Sequence, residues 1–128
     1  MHIPENAELL RVFIGDSDRY HHHSLYEAII EKAREHHLAG ATALRGYVGY
    51  GAHSRIHTAK ILRLSEDLPI VVEVVDAPEK IEAFLPVLDE MMDEGMVTVE
   101  PVKVLIYRHG DKTQPQPVVV PADQPASE

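Results

Sequence analysis

Four segments of the chain are patterned as strands and two repeat at helical spacing. Leu9 to Gly15, LLRVFIG, is a short apolar run closed by the polar turn GDSD, which predicts a buried strand followed by a reversal. Leu25, Ala28, Ile29 and Ala33 then fall on one helical face, with Glu27, Glu31, Lys32 and Arg34 on the other. Ser24 with Glu27 three residues on predicts a capping box, so the first helix is expected from Leu25 to His37. Gly40 to Gly51, GATALRGYVGYG, mixes strand-favouring residues with glycine and supplies the second strand. Pro69 to Asp76, PIVVEVVD, is almost continuously β-branched. Ile81, Phe84, Leu85, Leu88, Met91 and Met92 form a second helical stripe that stops at Gly95. Asp76 with Glu79 is read as its capping box, and Pro86 is expected to kink it by deleting the bond to the carbonyl of Glu82. Met96 to Tyr107 is the last strand, and Pro101 inside it predicts an edge position or a bulge.

The order βαββαβ with short links predicts an α+β, ferredoxin-like fold, a four-stranded antiparallel sheet with both helices on one face. The domain is expected over residues 1–110. The Pro-rich remainder, 111–128, has the composition of a flexible tail, although its PVVVP could lie along a sheet edge. In the first and third strands, residues of both parities are apolar, so the face without helices also needs a cover. Self-association is the economical cover, burying Phe13, Val71 and Val75 between subunits. Glu73 shares that face, and Arg11 or Lys103 is expected to balance it.

Composition narrows the function classes. A chain of 128 residues suits one domain, and no apolar run is long enough to span a membrane. A net charge of −9 speaks against nucleic acid as a partner. The absence of cysteine removes thiol chemistry and fits the cytoplasm, and the start MHIPENAELL has no secretory pattern. There is no nucleophile elbow, phosphate-binding lysine loop or HExxH, and the acids fall on expected helix surfaces, so no enzyme is expected.

The string GATALRGYVGYG, followed by IHTAKILRLSEDLPIVVEVVD, resembles the PII-like proteins, and most closely the family catalogued as domain of unknown function 190, over about residues 8 to 108. The resemblance implies a ferredoxin-like trimer whose sheets face one another, with an adenine nucleotide between subunits at the base of a loop after the second strand. It also implies a signalling or regulatory role, with the loop 51–59 contacting a membrane transporter or an enzyme. Gly49, Tyr50 and Gly51 resemble the Gly-aromatic-Gly at that loop base. The match fails after the second helix: nitrogen-signalling PII proteins carry a basic, glycine-rich loop there, and this chain reads MMDEGMVTVEPV.

The candidate ligand-binding set is therefore Arg45, Gly46, Gly49, Tyr50, Gly51 and Arg108. The glycines would let backbone N–H groups approach a phosphate, but isolated strand glycines also serve tight packing or a bulge. Arg45 and Arg108 adjoin strand ends expected near the loop base. The alternative is a metal-responsive binding protein of the CutA type using His53 and His57, four apart in the same loop. His21 to His23 read as an exposed turn, and His36 and His37 as cations at a helix C-terminus.

Overall fold

The computed structural model describes residues 3–51, 56–58, 67–108 and 110, so the tail 111–128 and most of the loop after Gly51 lie outside it. The elements are β1 (Asn6–Gly15), β2 (Arg19–Tyr20), β3 (His23–Ser24), α1 (Leu25–Glu35), β4 (Thr42–Arg45), β5 (Val48–Gly49), β6 (His57–Thr58), β7 (Pro69–Asp76), α2 (Pro78–Met91) and β8 (Met96–Lys103). The main sheet has the order β4-β7-β1-β8, with every neighbouring pair antiparallel. This is the expected ferredoxin-like arrangement. β2 with β3, and β5 with β6, form two additional short ribbons.

The pleat assigns the core. Leu10, Val12 and Ile14 of β1 stand opposite Val74, Val72 and Ile70 of β7, and all six are buried beneath the helices. Leu25, Ile29 and Ala33 of α1 and Ile81, Phe84, Leu88 and Met91 of α2 close this layer from above. Each of these side chains contributes roughly 1.5–3 kcal/mol of transfer free energy where it is large and fully buried. α2 continues through Pro86 to Met91.

The helix ends differ from the expected capping boxes. Ser24 and Ala77 occupy the N-cap positions, and neither makes a side-chain cap bond. Asp76 instead ends β7 fully buried: its Oδ1 accepts from the N–H of Ala77 at 2.7 Å and its Oδ2 from the N–H of Ala39 at 2.9 Å. It thereby joins the last residue of β7 to the start of α2 and to the link after α1. Lys80 Nζ lies 3.8 Å from the same carboxylate and donates to the carbonyl of His37 at 2.6 Å. α1 ends in a Schellman motif, with bonds from Leu38 N–H to Ala33 and from His37 N–H to Arg34. His37 takes the left-handed position, φ 60°, where glycine is the usual residue.

The opposite face of the sheet carries Leu9, Arg11 and Phe13 of β1, Val71, Glu73 and Val75 of β7, Leu44 of β4 and Met96 of β8. Phe13, Leu44 and Met96 are exposed on it. Lys103 does not balance Glu73; it approaches Glu5, at 4.0 Å, and Arg11 takes the expected role. The sequence pattern extends the last strand to Tyr107, but β8 stops at Lys103. Val104 N–H still donates to Glu5, while the Tyr107 hydroxyl donates to the carbonyl of Ala39 at 3.5 Å. The segment from 104 to 107 therefore crosses the end of the sheet from β8 to the start of β4. With Ile3 it walls a cavity of about 350 Å³ over Leu9 and Val75, so the chain itself covers part of this face.

Candidate functional site

The opposite end of the sheet holds the residues that the glycine-rich string singled out. Gly46 N–H donates to the carbonyl of Pro69 at 2.7 Å, which extends the β4–β7 pairing by one step. A Cβ on Gly46 would sit 2.9 Å from Pro69 Cγ, and one on Gly49 would sit 3.0 Å from the same atom. Both glycines lie against the proline ring, so close packing explains them without a ligand. Gly51 is different, since a Cβ there would meet nothing within 4 Å. Between them Tyr47 and Tyr50 project outward, and Val48 and Gly49 pair with the backbones of Thr58 and His57 to start a protruding ribbon.

Below this ribbon lies a cavity of about 200 Å³. Gly49, Tyr50 and Gly51 form one wall, Phe13 and Val71 the floor, and Gly95 of the turn before β8 the far side. Gly95 has φ 120°, and a Cβ there would come within 2.7 Å of the carbonyl oxygen of Phe13, so this turn requires glycine to reach β1. Asp18, Asp67 and Glu94 also line the space. Asp18 Oδ2 accepts from Gly15 N–H at 2.9 Å and Asp67 Oδ1 from Ser17 N–H at 3.1 Å, which fixes the turn after β1. No lysine or arginine lines the cavity among the described residues.

Arg45 points to the helix side, where its NH2 donates to Asp16 Oδ1 at 2.8 Å. That hydrogen bond, reinforced by the charge of Asp16, raises the guanidinium pKa above its ordinary value and keeps the group cationic and engaged. Arg108 lies beyond β8, next to Tyr107 at the other end of the sheet. The expectation that both arginines adjoin one loop base therefore fails within a single chain, because β8 runs away from that end. His53 lies outside the described residues, and of His57 only the backbone is described. Among the described residues no group of three His, Cys, Asp or Glu is placed to hold a metal ion.

Sequence reasoning singled out Gly49, Tyr50 and Gly51, which line this cavity, but not Pro69 or the carboxylates that line it with them. Pro69 was legible as the first residue of the strongest strand, but nothing local marks it as the surface on which two distant glycines rest.

A two-helix unit on a four-stranded antiparallel sheet of order β4-β7-β1-β8 defines the class as α+β, ferredoxin-like. The solved CPII protein of Thiomonas intermedia K12, a nitrogen regulatory PII-like protein bound to ADP, AMP and bicarbonate, shares this fold with a TM-score of 0.53 at 16% identity, over 77% of this chain and 88% of that one. The chain belongs to the family DUF190, described as "Uncharacterized ACR", whose profile matches residues 7–104. A UPF0166 protein of Aquifex aeolicus (strain VF5) is 36% identical over 98 residues, covering 77% of this chain and 92% of the relative. A UPF0166 protein of Methanocaldococcus jannaschii is 30% identical over 94 residues, covering 73% and 86%. Among the described residues no helix is long and apolar enough to cross a membrane.

Proposed function

We propose that this chain is a non-enzymatic PII-like regulatory protein of the cytoplasm. It binds a small anionic ligand, an adenine nucleotide, at the base of the β5–β6 ribbon between subunits of a trimer, and meets a partner protein through that ribbon. The observation that carries this reading is the cavity walled by Gly49, Tyr50 and Gly51, in a fold shared with a protein solved with ADP and AMP.

Three physical facts support the shared site. The cavity is about 200 Å³, below the roughly 300 Å³ at which small-molecule pockets begin, so one protomer supplies part of a site. No lysine or arginine lines it among the described residues, so a phosphate there would draw on cations from elsewhere. Arg108 stands at the far end of its own sheet, so it serves this ligand only from a second copy. Exposed Phe13, Leu44 and Met96 on the helix-free face are the surface through which copies would pack. Tyr47, Val48, Tyr50 and Ile56, all exposed, give the ribbon an apolar contact surface for a transporter or an enzyme.

Calorimetry against ATP, ADP, AMP, cyclic AMP and divalent metals tests the reading. The expected result is saturable heat with an adenine nucleotide, lost in Arg108→Ala and weakened in Gly51→Val. Heat from metals alone would replace this reading with the histidine-based, metal-responsive one.

A further inference from the structure

We propose that the groove between α2 and the free edge of β8 accepts an extended, basic segment of a partner protein as an added strand of the sheet. β8 ends the sheet and pairs only with β1 among the described residues, so no other described strand lies along its outer edge. Exposed edges are normally blunted by charges or proline. Glu100, Pro101 and Lys103 do this for the second half of β8, whereas Met96, Val97, Thr98 and Val99 carry no charge. Val97 and Val99 are 37% and 39% exposed on the helix side. With Leu85 and Met92 of α2 they wall a groove of about 560 Å³, room for side chains of an added strand. Successive residues of such a strand point to opposite faces, so every second one would enter the groove.

Charge selects the occupant. Asp89, Asp93 and Glu94 line the groove, and the last turn of α2 has no basic residue. A second copy brings a net charge of −9. The chain's own segment 111–128 sets Lys112 against Asp111, Asp123 and Glu128, a net −2 from one positive and three negative charges. Asp89 and Asp93 repel both and attract a segment alternating β-branched residues with lysine or arginine. The walls contributed by α2 lie on the helix side of the sheet, so the inference does not rest on packing of copies through the other face.

The probe is a synthetic peptide of alternating valine and lysine, added to the full chain at low salt. The expected result is saturable binding with new amide-exchange protection centred on Met96 to Val99. The double variant Asp89→Lys/Asp93→Lys, on exposed positions, should bind about tenfold or more weakly with an unchanged circular dichroism spectrum. The double variant Val97→Ser/Val99→Ser should weaken binding as well, which nonspecific charge attraction would not require. No binding, equal binding by the charge-reversed chain, or protection mapping elsewhere would overturn the proposal. Concentration-dependent protection of Met96 to Val99 without peptide would overturn it in favour of a second copy.

Discussion

Arg11 Nε donates to Glu73 Oε2 at 3.0 Å across the β1–β7 pairing, on the sheet face that no helix covers. Its NH1 donates to Glu100 Oε1 at 3.1 Å, so one cation spans three strands and holds two carboxylates. Arg11 and Glu73 are each about one-third exposed, at 34%. Exposed pairs of this kind contribute little by themselves, but covering the pair with another subunit removes the screening water. Glu73→Ala is therefore expected to leave protomer stability nearly unchanged and to weaken association by at least tenfold. Sedimentation velocity on both proteins reads the difference. An unaltered association constant would move the interface to another surface.

The glycines of the ribbon base separate into packing and open positions. Gly46→Ala places a methyl 2.9 Å from Pro69 Cγ and should cost about 1 kcal/mol, with Gly49→Ala similar or smaller. Gly51→Ala should be nearly neutral, since nothing lies within 4 Å of its Cβ position. Thermal melts with and without Pro69→Ala test the cause, because the second change should remove most of the Gly46→Ala penalty.

Asp76 is the costliest polar side chain to lose. Asp76→Ala removes a fully buried carboxylate and orphans the N–H groups of the half-buried Ala39 and Ala77, which should cost about 3 kcal/mol in denaturant unfolding. A loss below about 1 kcal/mol would mean that water reaches both donors.

Three exposed histidine positions carry removable strain, and two of them make the test. His21 and His22 have φ of 49° and 70° at the centre of the β2–β3 turn, and His37 has 60°. Glycine adopts these values without its Cβ crowding the carbonyl, so His22→Gly and His37→Gly should each raise stability by about 1 kcal/mol. Matched unfolding midpoints would show that the two positions relax in solution.

Tyr20 links the β2–β3 ribbon to α2 by donating to Glu90 Oε1 at 3.0 Å. That hydrogen bond, with burial and the charge of Glu90 adding to it, raises the phenol pKa above its ordinary 10.0. A folded-state pKa above the unfolded one gives stability that is complete below the unfolded value and lost as pH rises through the folded one. Stability should thus fall at alkaline pH, and the fall should be smaller in Tyr20→Phe. Ultraviolet titration of the phenolate in both proteins checks it.

The main sheet was legible because burial imposes period two: β7 matches its β-branched run residue for residue, and the buried faces of β1 and β7 follow from their register. The ribbons were not legible. β2 and β3 contain two residues each, too few for a period, and their turn is built from two histidines where Asn-Gly is the usual signal. The candidate site was half visible: chain-local glycines announce themselves, but the acidic wall is assembled from Asp18, Asp67 and Glu94, far apart in sequence. The separation of Arg45 from Arg108 required the strand directions, which no local motif encodes.

The central position of β1 also dictates the order in which the molecule can be completed during synthesis. β1 is made long before both of its sheet neighbours: Arg11 precedes Glu73 by 62 residues and Glu100 by 89. Helix α1 can form locally as soon as it is made, whereas the run LLRVFI has no strand to pair with until β7 appears. A nascent chain arrested before residue 69 thus carries a naked, strand-prone apolar segment, a state in need of a chaperone and ready to seed aggregates.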